Sequence, residues 1–322
     1  MKKLFIFALS CVSLSYQSFA QENNYNSKIH APIGIMRDHV HDKGEFMFSY
    51  RYSQMSMENL RQGDDGISTA QVLDSYANTP IKMNMQMHMA GLMYGFTDKL
   101  TIGAMSGFVV KDMDHAKNNG TYFERESEGL SDSKVNAMYR FFENDNNDTA
   151  QINLGVSLPT GDINESHTGT RLPYPMQIGS GSYEFLPGIS STLILKNGFR
   201  VGGQINGTFR MDSNKYGYKL GDNYNVTSWV DKSLDEDVSV SARLDYNKNE
   251  AIEGFDSEIS SMKNGIPTAD ASLTDSQRLD ILFGVSLFNG LGVEFGLPLY
   301  QRVDGPTLET KYRFIVGWQK SF

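Results

Sequence analysis

The chain has 322 residues, a formal net charge of −9, a mean hydropathy of −0.39 and 39% hydrophobic residues. The acidic balance argues against nucleic acid as a partner, because no basic patch stands out to neutralise phosphates. Beyond the N-terminus no apolar run approaches the roughly 20 residues of a spanning helix. That excludes a helical membrane protein but not a β-barrel, where only alternate residues meet lipid.

Lys2 and Lys3 precede an apolar run, Leu4 to Leu14, and Ser18-Phe19-Ala20 offers small residues at a cleavage point. The pattern predicts a secretory signal peptide over residues 1–20, hence export across the inner membrane of a Gram-negative cell. Cys11, the sole cysteine, lies inside it, so the mature chain is expected to hold no disulfide and no cysteine metal site. Residues 21–44 read as a leader, either periplasmic or inserted in a lumen. They carry Asp38-His39-Val40-His41-Asp42, a His-x-His pair flanked by acids that suits Cu(II) or Zn(II).

From residue 45 to 322 the chain alternates apolar and polar side chains. It predicts strands near Glu45–Met57, Gln86–Phe96, Leu100–Met113, Lys134–Glu143, Thr149–Leu158 and Tyr183–Leu195. Six more follow near Phe199–Met211, Asn223–Lys232, Val238–Asn247, Gln277–Leu287, Leu291–Arg302 and Thr310–Phe322. In Leu291–Arg302 the apolar set is Leu291, Val293, Phe295, Leu297 and Leu299. Gly292, Glu294, Gly296, Tyr300 and Arg302 are expected to face the other way. Short connections, such as Thr97–Lys99 and Lys196–Gly198, alternate with mostly longer polar ones, such as Glu58–Ile81, Asp114–Ser133, Pro159–Ser182 and Glu250–Ser276. The fold class is therefore all-β: a transmembrane antiparallel β-barrel of about twelve strands, with short periplasmic turns and long extracellular loops.

Sixteen methionines are present, eleven of them between Met36 and Met113. The aromatic face of Phe46, Phe48, Tyr50, Leu92, Tyr94 and Phe96 sets even positions outward. On that register Met47, Met55, Met57, Met87, Met89, Met93, Met105 and Met113 line the lumen, with Met83 and Met85 at its outer mouth. Asn84, Gln86 and His88 then turn outward. They lie above the hydrocarbon, or else a bulge near Gly91 reverses the face and sends the methionines to lipid. Thioether sulfur packs promiscuously against apolar ligands and is a soft ligand for copper. Arg140, Arg200, Arg243 and Arg278 fall on predicted inward positions, joined by Arg210, Arg302, Arg313, Glu184, Asp231, Asp245, Asp280 and Glu294. Such charges set pore selectivity or fill a narrow interior as ion pairs.

No nucleophile elbow, P-loop or zinc-protease motif is present, so no enzyme and no catalytic residue is predicted. The last strand ends YRFIVGWQKSF, and its terminal Phe322 resembles the signal read by the outer-membrane assembly machinery. Ala31-Pro32-Ile33-Gly34-Ile35 with Lys43-Gly44-Glu45-Phe46 and Ser49-Tyr50-Arg51-Tyr52, Leu158-Pro159-Thr160-Gly161-Asp162, and Gly296-Leu297-Pro298-Leu299-Tyr300 carry a family likeness. Together they resemble the outer-membrane transporter family named for the meta-pathway of phenol degradation. The resemblance implies a barrel in outer-membrane lipid that passes small, often aromatic or hydrophobic, solutes without a cofactor. Two other readings stand beside it. One is a copper-binding or copper-export barrel using His39, His41, His115 and Met113 with neighbouring methionines; the other is a structural or adhesive surface barrel.

Overall fold

The computed structural model describes residues 31–322 apart from 236 and 288; the expected signal peptide, Cys11 and residues 21–30 lie outside the described residues. The barrel wall begins with β1 (Phe46–Gly63), β2 (Asn78–Thr97) and β3 (Leu100–Lys117). A broken β4 follows (Tyr122–Leu130 and Ser133–Glu143), then β5 (Thr149–Leu158) and a broken β6 (Glu184–Phe185 and Gly188–Ile194). Next come β7 (Phe199–Arg210), β8 (Asn223–Ser233), β9 (Val238–Asn249) and β10 (Ser276–Leu287). The extended segment Leu291–Ser321 supplies two strands. Its first part, β11 (291–303), pairs with β10, and its second, β12 (307–321), pairs with β1. The segment folds back on itself: Gln319 N–H donates to Gly290 O at one end, and the Gln301 side chain clasps the Thr310 backbone at the other.

Each strand pairs antiparallel with its chain neighbours, and the β12–β1 pairing closes a twelve-stranded barrel without an edge. Phe46 and Phe322 exchange backbone hydrogen bonds where the two termini of the wall meet. The short connections 98–99, 144–148, 195–198, 234–237 and 288–290 all lie at one end. Between β6 and β7, Asn197 and Gly198 take left-handed φ values of 59° and 84°, the pattern that matches strand twist in a tight hairpin.

Burial is inverted relative to a soluble protein. Leu92, Ile102, Leu154, Val226, Phe283, Phe295 and Leu297 are exposed on the outside, while Gln151, Asn153, Asp231, Arg243, Asp280 and Glu294 are buried inside. Lipid accounts for the apolar exterior, because a charged side chain at the midplane costs about 2–4 kcal/mol. The chain is thus an outer-membrane β-barrel.

Three sequence expectations need correction. Asp114–Ser133 is not a long loop: β3 runs on to Lys117, a tight turn follows, and Tyr122–Leu130 returns along it. Its outward side chains include Glu124, Glu126 and Glu128, which above the membrane need no apolar face, so the alternation signal is missing. Glu58–Ile81 is likewise mostly ordered, holding the ends of β1 and β2, the strand Asp65–Ile67 and a helix, Thr69–Leu73, capped by Ser68. Third, β11 slips by one residue: Leu279 faces Tyr300 while Asp280 faces Pro298, which leaves Leu299 as a bulge. Pro298 has no N–H to give the ladder, and a bulge tolerates that. Beyond it the faces exchange, so Tyr300 and Arg302 point outward to Asp64 rather than into the lumen.

Candidate functional site

The β1–β2 pairing runs without a shift from Phe46/Tyr94 to Glu58/Lys82, and β2–β3 pairing is regular through Gly91. With no bulge there, odd positions of all three strands face the bore. Met57, Met83 and Met113 stand in one row across the strands, and Met55, Met85 and Lys111 in the next. Lower rows alternate methionine with glycine. The Cγ atoms of Met89 and Met93 lie 3.3 Å from where a β-carbon on Gly107 or Gly103 would sit, so flexible thioethers cover the bare backbone. Outside, Tyr50 Oη lies 2.7 Å from His88 Nδ1, and the Tyr52 hydroxyl donates to Gln86, which gives those outward polar groups partners.

Residues 31–44 cross the periplasmic half of the lumen. Arg51 Nε donates to Ile33 O (2.7 Å), Gly34 N–H to Glu294 Oε2 (2.6 Å), and His41 N–H to Thr101 Oγ1 (2.8 Å). On the far wall the amides of Gln151, Asn153 and Gln204 donate to Arg37 O. Ile33 packs on Leu282 and Ile315, two apolar side chains on otherwise polar inward faces. Above them, toward the extracellular end, runs an ion-pair chain. Arg243 bonds Glu294 (2.9 Å), Arg313 bridges Asp245 (2.7 Å) and Asp280 (2.8 Å), and Arg278 also reaches Asp280 (3.0 Å).

The extracellular end is roofed by folded loops. Leu60, Val72, Met83, Met113, Leu172, Met176 and Leu308 form one apolar cluster, and Tyr174, Tyr218, Ile259, Ile266, Ala269 and Ala271 another. Burial pushes the Tyr218 phenol up to about 12, which keeps it neutral in the cluster. Lys111 Nζ pins the roof to β3 through the carbonyls of Pro175 (2.8 Å) and Gln177 (2.6 Å). Under the roof lies a cavity of about 380 Å³. Met55, Met57, Leu273 and Leu308 give it apolar wall; Arg278, Asn247 and Gln301 give it polar groups. Arg278 Nη1 sits 3.6 Å from Met55 Sδ and 2.8 Å from Thr310 Oγ1, so the methionine wall and the ion-pair chain meet there.

Residues 63–258 match the family described as "Putative MetA-pathway of phenol degradation". The chain belongs to this family. Among solved structures, an outer-membrane channel from Pseudomonas putida F1 is similar over 91% of this chain and all of its own, at 12% identity and a TM-score of 0.62. The CymD monoaromatic hydrocarbon channel matches 88% of this chain and 89% of its own at 10% identity, but its TM-score of 0.39 carries no argument. No curated protein matches the chain.

In this member of the phenol-degradation family, the expected track residues separate by depth. Met55, Met57 and Arg278 border the cavity. Met47 and Met113 are packed and buried, whereas Met87, Met89, Met93 and Met105 are half-buried along the lower wall. Arg200 pairs with Asp231 (2.8 Å) and Arg243 with Glu294, both inside. Arg140 sits at the periplasmic rim, bonded to Asp98 O and Glu143, away from the cavity. The four expected metal ligands are not brought together. His39 and His41 lie near the periplasmic end with ring centroids 4.6 Å apart, each beside a carboxylate. His115 is buried near the far end of β3, its Nδ1 3.1 Å from Met113 O. Fourteen residues of strand separate it from the Thr101 that holds His41, about 46 Å of chain. Sequence reasoning missed the amides Gln151, Asn153 and Gln204. Their signal was present, since each alternates with an outward Ile or Leu.

Proposed function

We propose that the barrel passes a small, partly apolar solute of about one aromatic ring across the outer membrane, lodging it in the cavity against Met55, Met57 and Arg278. The observation that carries this reading is the cavity of about 380 Å³ whose wall sets the thioethers of Met55 and Met57 beside the Arg278 guanidinium. Its volume falls in the usual range for small-molecule sites, and such sites are mostly apolar with a few fixed polar groups. Family membership supports the aromatic solute, and the fold shared with an outer-membrane channel supports passage.

Solute flux into proteoliposomes tests it. Benzyl alcohol is expected to enter faster than a pentose through the full mature chain, and Met55→Glu with Met57→Glu is expected to abolish that preference. Equal rates for both solutes in the parent protein would remove the apolar track.

A further inference from the structure

A second chamber, of about 330 Å³, opens among the extracellular loops and the upper end of β3 and β4. Lys117, Arg125, Arg171 and Lys263 line it, and no carboxylate does. Two of these charges are already taken: Arg171 pairs with Asp256 and Lys263 with Glu258. Among the described residues, Lys117 and Arg125 have no carboxylate at ion-pair distance. Both hang over the Phe123 ring, at 5.1 and 4.5 Å from its centroid, and that ring stacks with His115 at 4.7 Å and 5°. Leu172, Pro173 and Ile266 close the chamber with apolar wall.

The surroundings sharpen this. On the outward face of the same strand pair stand Asp112, Asp114, Glu124, Glu126 and Glu128, so the cationic chamber is set within an acidic rim. Two cations lacking counter-ions and bounded by ring faces and aliphatic carbons specify a ligand that is anionic at one end and apolar at the other. We propose that this chamber binds a small organic carboxylate with an aromatic or aliphatic body at the mouth of the barrel. Leu172 and Pro173 line this chamber and Pro175 the inner cavity, and Ile266 and Pro267 divide in the same way. Two short chain segments therefore contribute to the walls of both chambers. Charge-assisted contacts to Lys117 and Arg125 would supply most of the affinity, and salt would weaken them.

The test measures binding rather than flux, so it stands or falls separately from the channel reading. Calorimetric titration of the full mature chain in detergent at low salt uses benzoate as probe, with benzyl alcohol, acetate and inorganic phosphate as comparisons. Saturable benzoate binding is expected, weakened about tenfold or more in Lys117→Gln/Arg125→Gln and barely detectable for the other three probes. Lys117→Glu, an exposed position at the end of β3, serves as second variant, and a heat-modifiable gel shift establishes folding for each. Three results would overturn the proposal: no benzoate binding by the parent chain, unchanged affinity in both variants, or phosphate binding as tightly as benzoate. A loss seen in Arg278→Gln and not at Lys117 and Arg125 would likewise overturn it, by placing the anion in the inner cavity.

Discussion

At the scale of single residues, the leader's seat is cut by glycines and locked by one ion pair. A β-carbon on Gly292 would come within 2.7 Å of Ile33 Cβ, and one on Gly317 within 2.9 Å of Ile33 Cγ1. These two inward positions are therefore bare because another part of the chain fills them. Glu294 does double duty, accepting from Gly34 N–H and from Arg243, with both side chains almost wholly buried. Removing one partner of a buried pair typically costs about 3–5 kcal/mol, because the remaining charge stays desolvated. Glu294→Gln is expected near the lower figure, since Asp245 lies 3.7 Å from Arg243 and offers partial relief. Denaturant titration of the refolded protein in vesicles reads this. The substituted amide still offers an oxygen to Gly34, so protection of the leader from protease should persist while stability falls.

At the scale of elements, strand alternation was legible wherever one face meets lipid, and it faded where neither does. Thr149–Leu158 could be read to the residue because Ile152, Leu154 and Val156 face hydrocarbon while Gln151, Asn153 and Ser157 face in. Tyr122–Leu130 could not, since its outward glutamates face water. The bulge at Leu299 was hidden too: Leu297, Leu299 and Tyr300 all end up exposed, and no one-residue pattern announces a slip between two apolar neighbours. The inward Ile315 broke the pattern of its strand, and its reason, contact with Ile33, lies 282 residues away in the chain. The cavity itself was not readable, because its walls come from β1, from β8 to β12 and from two loops that no local period describes. This division between hydrocarbon and water predicts a contrast. Leu154→Arg should cost about 2–4 kcal/mol of folding stability in vesicles, whereas Tyr122→Arg, outward but beyond the lipid, should be near neutral. Equal costs would mean that the extension of β3 and β4 is membrane-embedded.

At the scale of the whole molecule, the bore is occupied at both ends, by folded loops at the extracellular end and by residues 31–44 at the periplasmic end, with the cavity under the loops. The two closures differ in kind. The roof is built from apolar clusters reinforced by Lys111 and by Ser127, whose hydroxyl donates to Met176 O at 2.7 Å. The leader is held mainly by polar contacts to its backbone carbonyls and amides, each worth about 0.5–1.5 kcal/mol, plus one small apolar cluster at Ile33. Fewer buried apolar groups make the leader the weaker closure, because apolar burial contributes about 25 cal/mol per Å² and is the larger stabilising quantity. Gly292→Val with Gly317→Val fills the space that Ile33 occupies and leaves the roof untouched. That variant is expected to expose the leader to protease and to raise the proteoliposome swelling rate for small solutes several-fold, while keeping its heat-modifiable gel shift. If the leader became cleavable but swelling stayed at the parent rate, the roof alone would govern passage, and the solute would have to displace the Tyr174–Tyr218 cluster to enter.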